Sequence, residues 1–205
     1  MAYARNKDVD FIICDHHRPG DTLPLAVAVL DPKRSDCDYP FKELSGCGVG
    51  FKLAQAYHQQ YNLPFEDLVP LLDLVVVSIA ADIVPMIDEN RVLSFYGLQQ
   101  LNTSPRIGLK ALMDVASRKN SFSITDVVFS LAPRINAAGR IEHGNKAVEL
   151  LVQQDFSIAK EKADYIDNHN FSRKELDKSI TREALAMIVQ AVSYTHLTLP
   201  TIRSV

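Results

Sequence analysis

The sequence predicts an α/β fold: a small parallel sheet with many helices, followed by one long connecting helix. Three observations carry this. Two short apolar runs, "VDFIICD" (9–15) and "LAVAVLDP" (25–32), read as parallel strands, the first buried on both faces. From Ser45 onward, apolar residues recur at helical spacing rather than alternating. From Ser157 to Gln190 the chain is rich in Lys, Glu, Asp, Ala and Ile, with no Pro or Gly, as in a single, mostly solvated helix.

With 205 residues, 47% of them hydrophobic, the chain can bury a core of one domain and a little more. A net charge of -3 gives no global basic signature, so any contact with phosphate must come from a local patch. The three cysteines, Cys14, Cys37 and Cys47, show no paired spacing and read as reduced thiols of a cytoplasmic protein. "MAYARNKDVD" has no apolar core of a signal peptide. The longest apolar stretch, Leu68 to Met86, carries Asp73 and Asp82 and reads as a buried helix, not a membrane span.

Each element has its own signal. "RPGDTLP" is a loop between the two strands. A helix begins at Ser45, with Val49, Leu53, Ala56 and Tyr57 at helical spacing. A second, very apolar and therefore central, runs from Phe65 to Ala81, and "ENRVLSFYGLQQLN" is a third. "SPRIGLKALMDVA" offers Ser104 as N-cap and Pro105 as first helical residue. "SITDVVFSLAP" is capped by Ser123 or Thr125 and stops near Pro133. "APRINAAGRIEHG" then reads as a short loop, before a helix from Asn145 to Gln153.

Four places could carry chemistry. Asp15-His16-His17 sits at the carboxyl end of the first strand, where open α/β sheets bind ligands. Imidazole and carboxylate together suit a divalent metal such as manganese, although adjacent side chains on a strand point to opposite faces. One histidine would then bind metal while the other faces substrate or orients a neighbour; an ordinary polar strand end is the alternative. Asp82 lies among apolar neighbours, where an ionised carboxylate needs a partner or a metal; a helix-terminal acid bonded to local backbone is the alternative. Asp73 reads as a structural hydrogen-bond partner. The 132–144 segment gathers Arg134, Asn136, Gly139 and Arg140, which could approach and fork a phosphate or simply form a tight turn. "SGCGVG" (45–50) opens a helix and reads as close packing more than as an anion site.

Taken in order, DHH, SGCGVGFKL, IAADIVPM, NRVLSFYGLQQLN, RIGLKALM and PRINAAGRI resemble the DHH phosphoesterase superfamily over about residues 1–190. Within it, the chain looks like the bacterial single-stranded-DNA-specific exonucleases. That resemblance implies a two-metal phosphodiester hydrolase, using Mn2+ or Mg2+, that degrades single-stranded DNA from the 5′ end in repair and recombination. It implies that His16 and Asp82 are metal ligands, that Asp15 supports the metal cluster, and that His17, Asn136 and Arg140 contact the substrate phosphate. Single-stranded DNA, and other repair proteins, are the implied partners, without a membrane. Two related readings accompany it: a DHH hydrolase of oligoribonucleotides, cyclic dinucleotides or pyrophosphate, and a DHH domain that has lost catalysis and serves as a scaffold.

The family's earlier acidic motifs, which lie before DHH, have no counterpart in "MAYARNKDVDF", where Asp8 and Asp10 read as the run-in to the strand. Residues 1–155 are expected to form the DHH domain without its N-terminal part, 156–190 an interdomain connector, and 191–205 a tail. The opening of "VSYTHLTLPTIRSV" resembles a translated sequencing adapter, and the tail is read as artefactual. Two ligands are too few for a tight dinuclear centre, so the chain is expected to be inactive alone. A first strand without neighbours would also leave an exposed edge prone to aggregation.

Overall fold

The computed structural model describes residues 2–116, 121–141 and 144–191, with the backbone alone for 139–141 and 189–191. A short helix, α1 (Ala2–Arg5), precedes β1 (Ile12–Cys14) and β2 (Ala28–Leu30), which pair in parallel with Ile12 opposite Ala28 and Cys14 opposite Leu30. Both predicted strands are present, but regular pairing is confined to three residues in each. The first is not buried on both faces. Cys14 and Leu30 pack inward, while Phe11, Ile12 and Val27 are exposed at 44%, 55% and 66%. The sheet therefore lies at the margin, and the bulk of the core is between helices.

Helix α2 (Gly46–Gln60) starts where expected, because the Ser45 hydroxyl accepts the Gly48 N–H at 3.2 Å. The predicted Phe65–Ala81 helix divides into a 3₁₀ turn (Phe65–Leu71), which contains Pro70, and α3 (Leu72–Asp82). Helix α3 is central, since it feeds two apolar clusters. Leu72, Val75 and Ile79 meet Phe41, Leu44, Val49, Phe51 and Leu93, and Val76, Val77 and Ala80 meet Leu101, Leu109, Leu112 and Leu131. An apolar surface on all sides is what a helix between two layers requires.

Helix α4 (Asp88–Thr103) crosses α3 at Gly97, where a Cβ would stand 2.6 Å from the Leu72 carbonyl oxygen and 2.7 Å from Val76 Cβ. Ser104 closes α4 instead of opening the next helix; its N–H donates to the Gln100 carbonyl at 2.9 Å. Helix α5 (Ile107–Ala116) starts after Arg106, whose own N–H donates to Asp73 of α3 at 2.9 Å. A carboxylate from another helix thus takes over the end that Ser104 and Pro105 were expected to define.

Helix α6 (Ile124–Asp126) begins with a capping box between Ser123 and Asp126. A π-helical turn (Val127–Leu131) carries it directly into α7 (Ala132–Ile141). The helix does not stop at Pro133. The Ala132 N–H reaches back to Val127, so the register slips just before the proline, and Pro133 falls in the first turn of α7, where a missing N–H is best tolerated. The expected 132–144 loop is consequently a helix as far as Ile141.

Helices α8 (Asn145–Leu151) and α9 (Phe156–Ala191) follow. The Asp155 carboxylate caps α9 at the Ile158 N–H, 3.0 Å away. Ala159, Ala163, Ile166 and Asn170 are buried against the body of the protein, whereas Phe171, Leu176 and Ile180 are exposed, so the second half of α9 leaves the core. The tail after Ala191 lies outside the described residues.

Candidate metal and phosphate site

Strand β1 ends because Asp15 turns the chain. Its Oδ1 accepts the N–H groups of His16 at 2.7 Å and His17 at 3.1 Å, and stands 2.7 Å from Nδ1 of His17. The His17 hydrogen bond holds the Asp15 carboxyl below the usual carboxylate range; burial opposes this, and the two backbone N–H groups reinforce it. The acid therefore fixes the second histidine.

The two imidazoles diverge, as neighbours leaving a strand should. The His17 side chain is 78% exposed. His16 turns inward, with a side chain 14% exposed, and its Nε2 lies 3.5 Å from Oδ2 of Asp82. Asp82 is the last residue of α3 and is not engulfed by apolar neighbours; its side chain is 30% exposed. Its Oδ2 accepts the Ser78 hydroxyl at 3.2 Å and the Gly46 N–H at 3.4 Å. Ile83 follows in the left-handed region, with φ 53°, and turns the chain away.

The amino end of α2 closes this site from the other side. Its first N–H groups are taken by protein atoms: Gly46 by Asp82, Cys47 by the Ser78 hydroxyl at 3.2 Å, and Gly48 by Ser45. Of the glycines of "SGCGVG", Gly46 alone faces the DHH segment, where an added Cβ would lie 3.5 Å from the His16 ring; one at Gly48 would meet Ser45 and Leu44, and one at Gly50 open space. Asn90 ties the two flanking loops together. It is fully buried, and its Nδ2 donates to the carbonyls of Glu43, before α2, and Pro85, after Asp82. Neither Ser78 nor Asn90 stands out in the sequence, although Ser78 lies one helical turn before Asp82.

The other candidates separate. Asp73 is structural: its side chain is 1% exposed and pairs with Arg106 at 2.8 Å. Arg134 ties α7 to α9 through Asp167 at 2.7 Å and also donates to the Ser130 carbonyl. Asn136 is an exposed residue of α7, and no hydrogen bond joins it to Asp15, His16, His17 or Asp82 among the described residues. Arg140 falls in the last turn of α7, with its side chain outside the described residues.

Imidazole nitrogen and carboxylate oxygen form a donor set suited to Mn2+, and 3.5 Å is a separation that two donors to one ion can span. No cluster of three or more His, Cys, Asp or Glu able to hold a metal occurs among the described residues.

Residues 1–79 match the DHH family, N-terminal domain. The chain is 43% identical over 188 residues to the single-stranded-DNA-specific exonuclease RecJ of Bacillus subtilis (strain 168), covering 91% of this chain and 23% of that protein. It is 37% identical over 198 residues to RecJ of Escherichia coli (strain K12), covering 91% of this chain and 34% of that protein. The crystal structure of RecJ in complex with Mn2+ from Thermus thermophilus superposes with a TM-score of 0.77 at 31% identity, over 90% of this chain and 28% of that one. A structure of exonuclease RecJ bound to manganese gives 0.77 at 30% identity, over 90% and 46%. The chain thus spans 23% to 34% of the length of these curated relatives. Residues 1–79 thus match the N-terminal domain of the DHH family, and the chain is homologous to one segment of the RecJ exonucleases.

Proposed function

We propose that this chain is part of a metal-dependent exodeoxyribonuclease that hydrolyses phosphodiester bonds in single-stranded DNA from the 5′ end. Its setting is bacterial DNA repair and recombination in the cytoplasm, where other repair proteins are potential partners. The observation that carries the reading is the His16 Nε2–Asp82 Oδ2 pair at 3.5 Å, at the carboxyl end of a parallel strand in a RecJ-like segment. No described helix is long and apolar enough to cross a membrane.

In this reading His16 and Asp82 would hold Mn2+ or Mg2+, which would supply the Lewis acidity that activates water and offsets phosphate charge. Asp15 keeps a proton on Nδ1 of His17 and so orients that ring. The exposed ring is thereby presented to the substrate phosphate. Asn136 and Arg140 extend phosphate binding along α7, the arginine offsetting charge that builds up in the transition state. Residues 1–155 act as the DHH unit and 156–190 as a connector.

Two protein ligands do not hold two ions tightly, so the 205-residue chain is expected to show no processive hydrolysis alone. A chimaera tests the site. Residues 1–190 replace the matched part of the Bacillus subtilis relative, and 5′-phosphorylated single-stranded DNA is digested with Mn2+. The chimaera is expected to be active, and His16→Ala or Asp82→Ala to lower its rate about 100-fold or more. Undiminished rates in both variants would refute the ligand assignment.

A further inference from the structure

We infer that Ser78 is a positioning residue that fixes the Asp82 carboxylate toward His16, an inference resting on the reading of Asp82 as a metal ligand. Asp82 occupies an unfavourable place. It is an anion at the carboxyl end of α3, where the helix dipole favours cations. Something must supply donors there, and Ser78 supplies the nearest, 3.2 Å from Oδ2.

The direction of that bond is fixed by chemistry. The Cys47 N–H can only donate, and it points at the Ser78 oxygen from 3.2 Å. The hydroxyl proton is then left for Asp82, the acceptor on its other side. A serine inside a helix often spends this proton on its own helix, four residues back. Here the hydroxyl relays an N–H of the amino end of α2 to the carboxylate. The Gly46 N–H reaches the same oxygen directly at 3.4 Å. Oδ2 is also the oxygen that faces His16, so the rotamer held by Ser78 is the one that forms the pair. The left-handed turn at Ile83 ends the helix at this point, so no following helical turn packs against the carboxylate.

Mn2+ binding to the chimaera, read from the electron paramagnetic resonance of free Mn2+, tests this without catalysis. Ser78→Ala is expected to weaken binding about 10- to 100-fold, the range seen when a group orienting a metal ligand is removed. Ser78→Thr, which keeps the hydroxyl, is expected to restore it. Both variants should unfold at the parent's urea midpoint, which separates positioning from stability. A crystal structure of Ser78→Ala is expected to show the carboxylate turned from His16. Parent affinity in Ser78→Ala together with loss in Asp82→Ala would overturn the positioning role alone. Parent affinity in both variants, or no binding by the parent, would overturn the metal assignment and this inference with it.

Discussion

Arg106→Ala is expected to destabilise the protein by about 3–5 kcal/mol, measured as the fall in unfolding free energy from urea denaturation. The Asp73 side chain is 1% exposed and is held by the Arg106 guanidinium, with Nε 2.9 Å from Oδ1 and Nη2 at 2.8 Å. Without that guanidinium, the carboxylate keeps only the N–H of residue 106, at 2.9 Å, among its described partners. A buried charge stripped of its partner bears a desolvation cost that nothing repays. The reverse change is expected to be milder. Asp73→Ala leaves a guanidinium that is already 23% exposed and can turn to water. The order Arg106→Ala worse than Asp73→Ala is therefore the sharper test, and equal losses below about 1 kcal/mol would mean that the pair behaves as a surface ion pair. The contact matters to the site because it anchors α3, which ends in Asp82.

Gly108→Ala is the second large effect, expected at about 3 kcal/mol, the upper end of ordinary overpacking. A Cβ at Gly108 would stand 2.0 Å from the Leu150 carbonyl oxygen and 2.7 Å from its carbon. Both are backbone atoms, so no rotamer change relieves the clash and α5 must separate from α8. Alanine gains about 1 kcal/mol over glycine in a helix, which is too little to compensate. Gly50 provides the matched control. It lies in α2 with nothing within 4 Å of an added methyl, so Gly50→Ala is expected to stabilise by up to about 1 kcal/mol. Unfolding midpoints that move in the same direction for both substitutions would contradict the close α5–α8 approach.

Features decided by near neighbours are legible in the sequence. Ser45 and Ser123 cap their helices through their own side chains, within three residues. The long α9 follows from composition, and the DHH segment from its place at a strand end. Expectation and structure part where a distant residue decides the outcome. Ser104-Pro105 is a good helix start in isolation, but Asp73, from another helix, caps α5 at Arg106 instead. Pro133 and Gly139 suggest a loop, yet the π turn lets α7 pass through the proline, and that register is set by packing. Asp82 reads as engulfed because its neighbours in sequence are apolar, but the helix ends there and presents it to solvent beside His16. Ser78 carries no sequence signal, because the proton it gives Asp82 is directed by an N–H from α2.

The most direct test is anomalous diffraction at the manganese absorption edge, from crystals of this chain grown with Mn2+. The result predicted is a peak bonded to both Nε2 of His16 and Oδ2 of Asp82, and lost in Asp82→Ala. Manganese bound elsewhere, with no density at that pair, would contradict the metal site on which the proposed nuclease function rests.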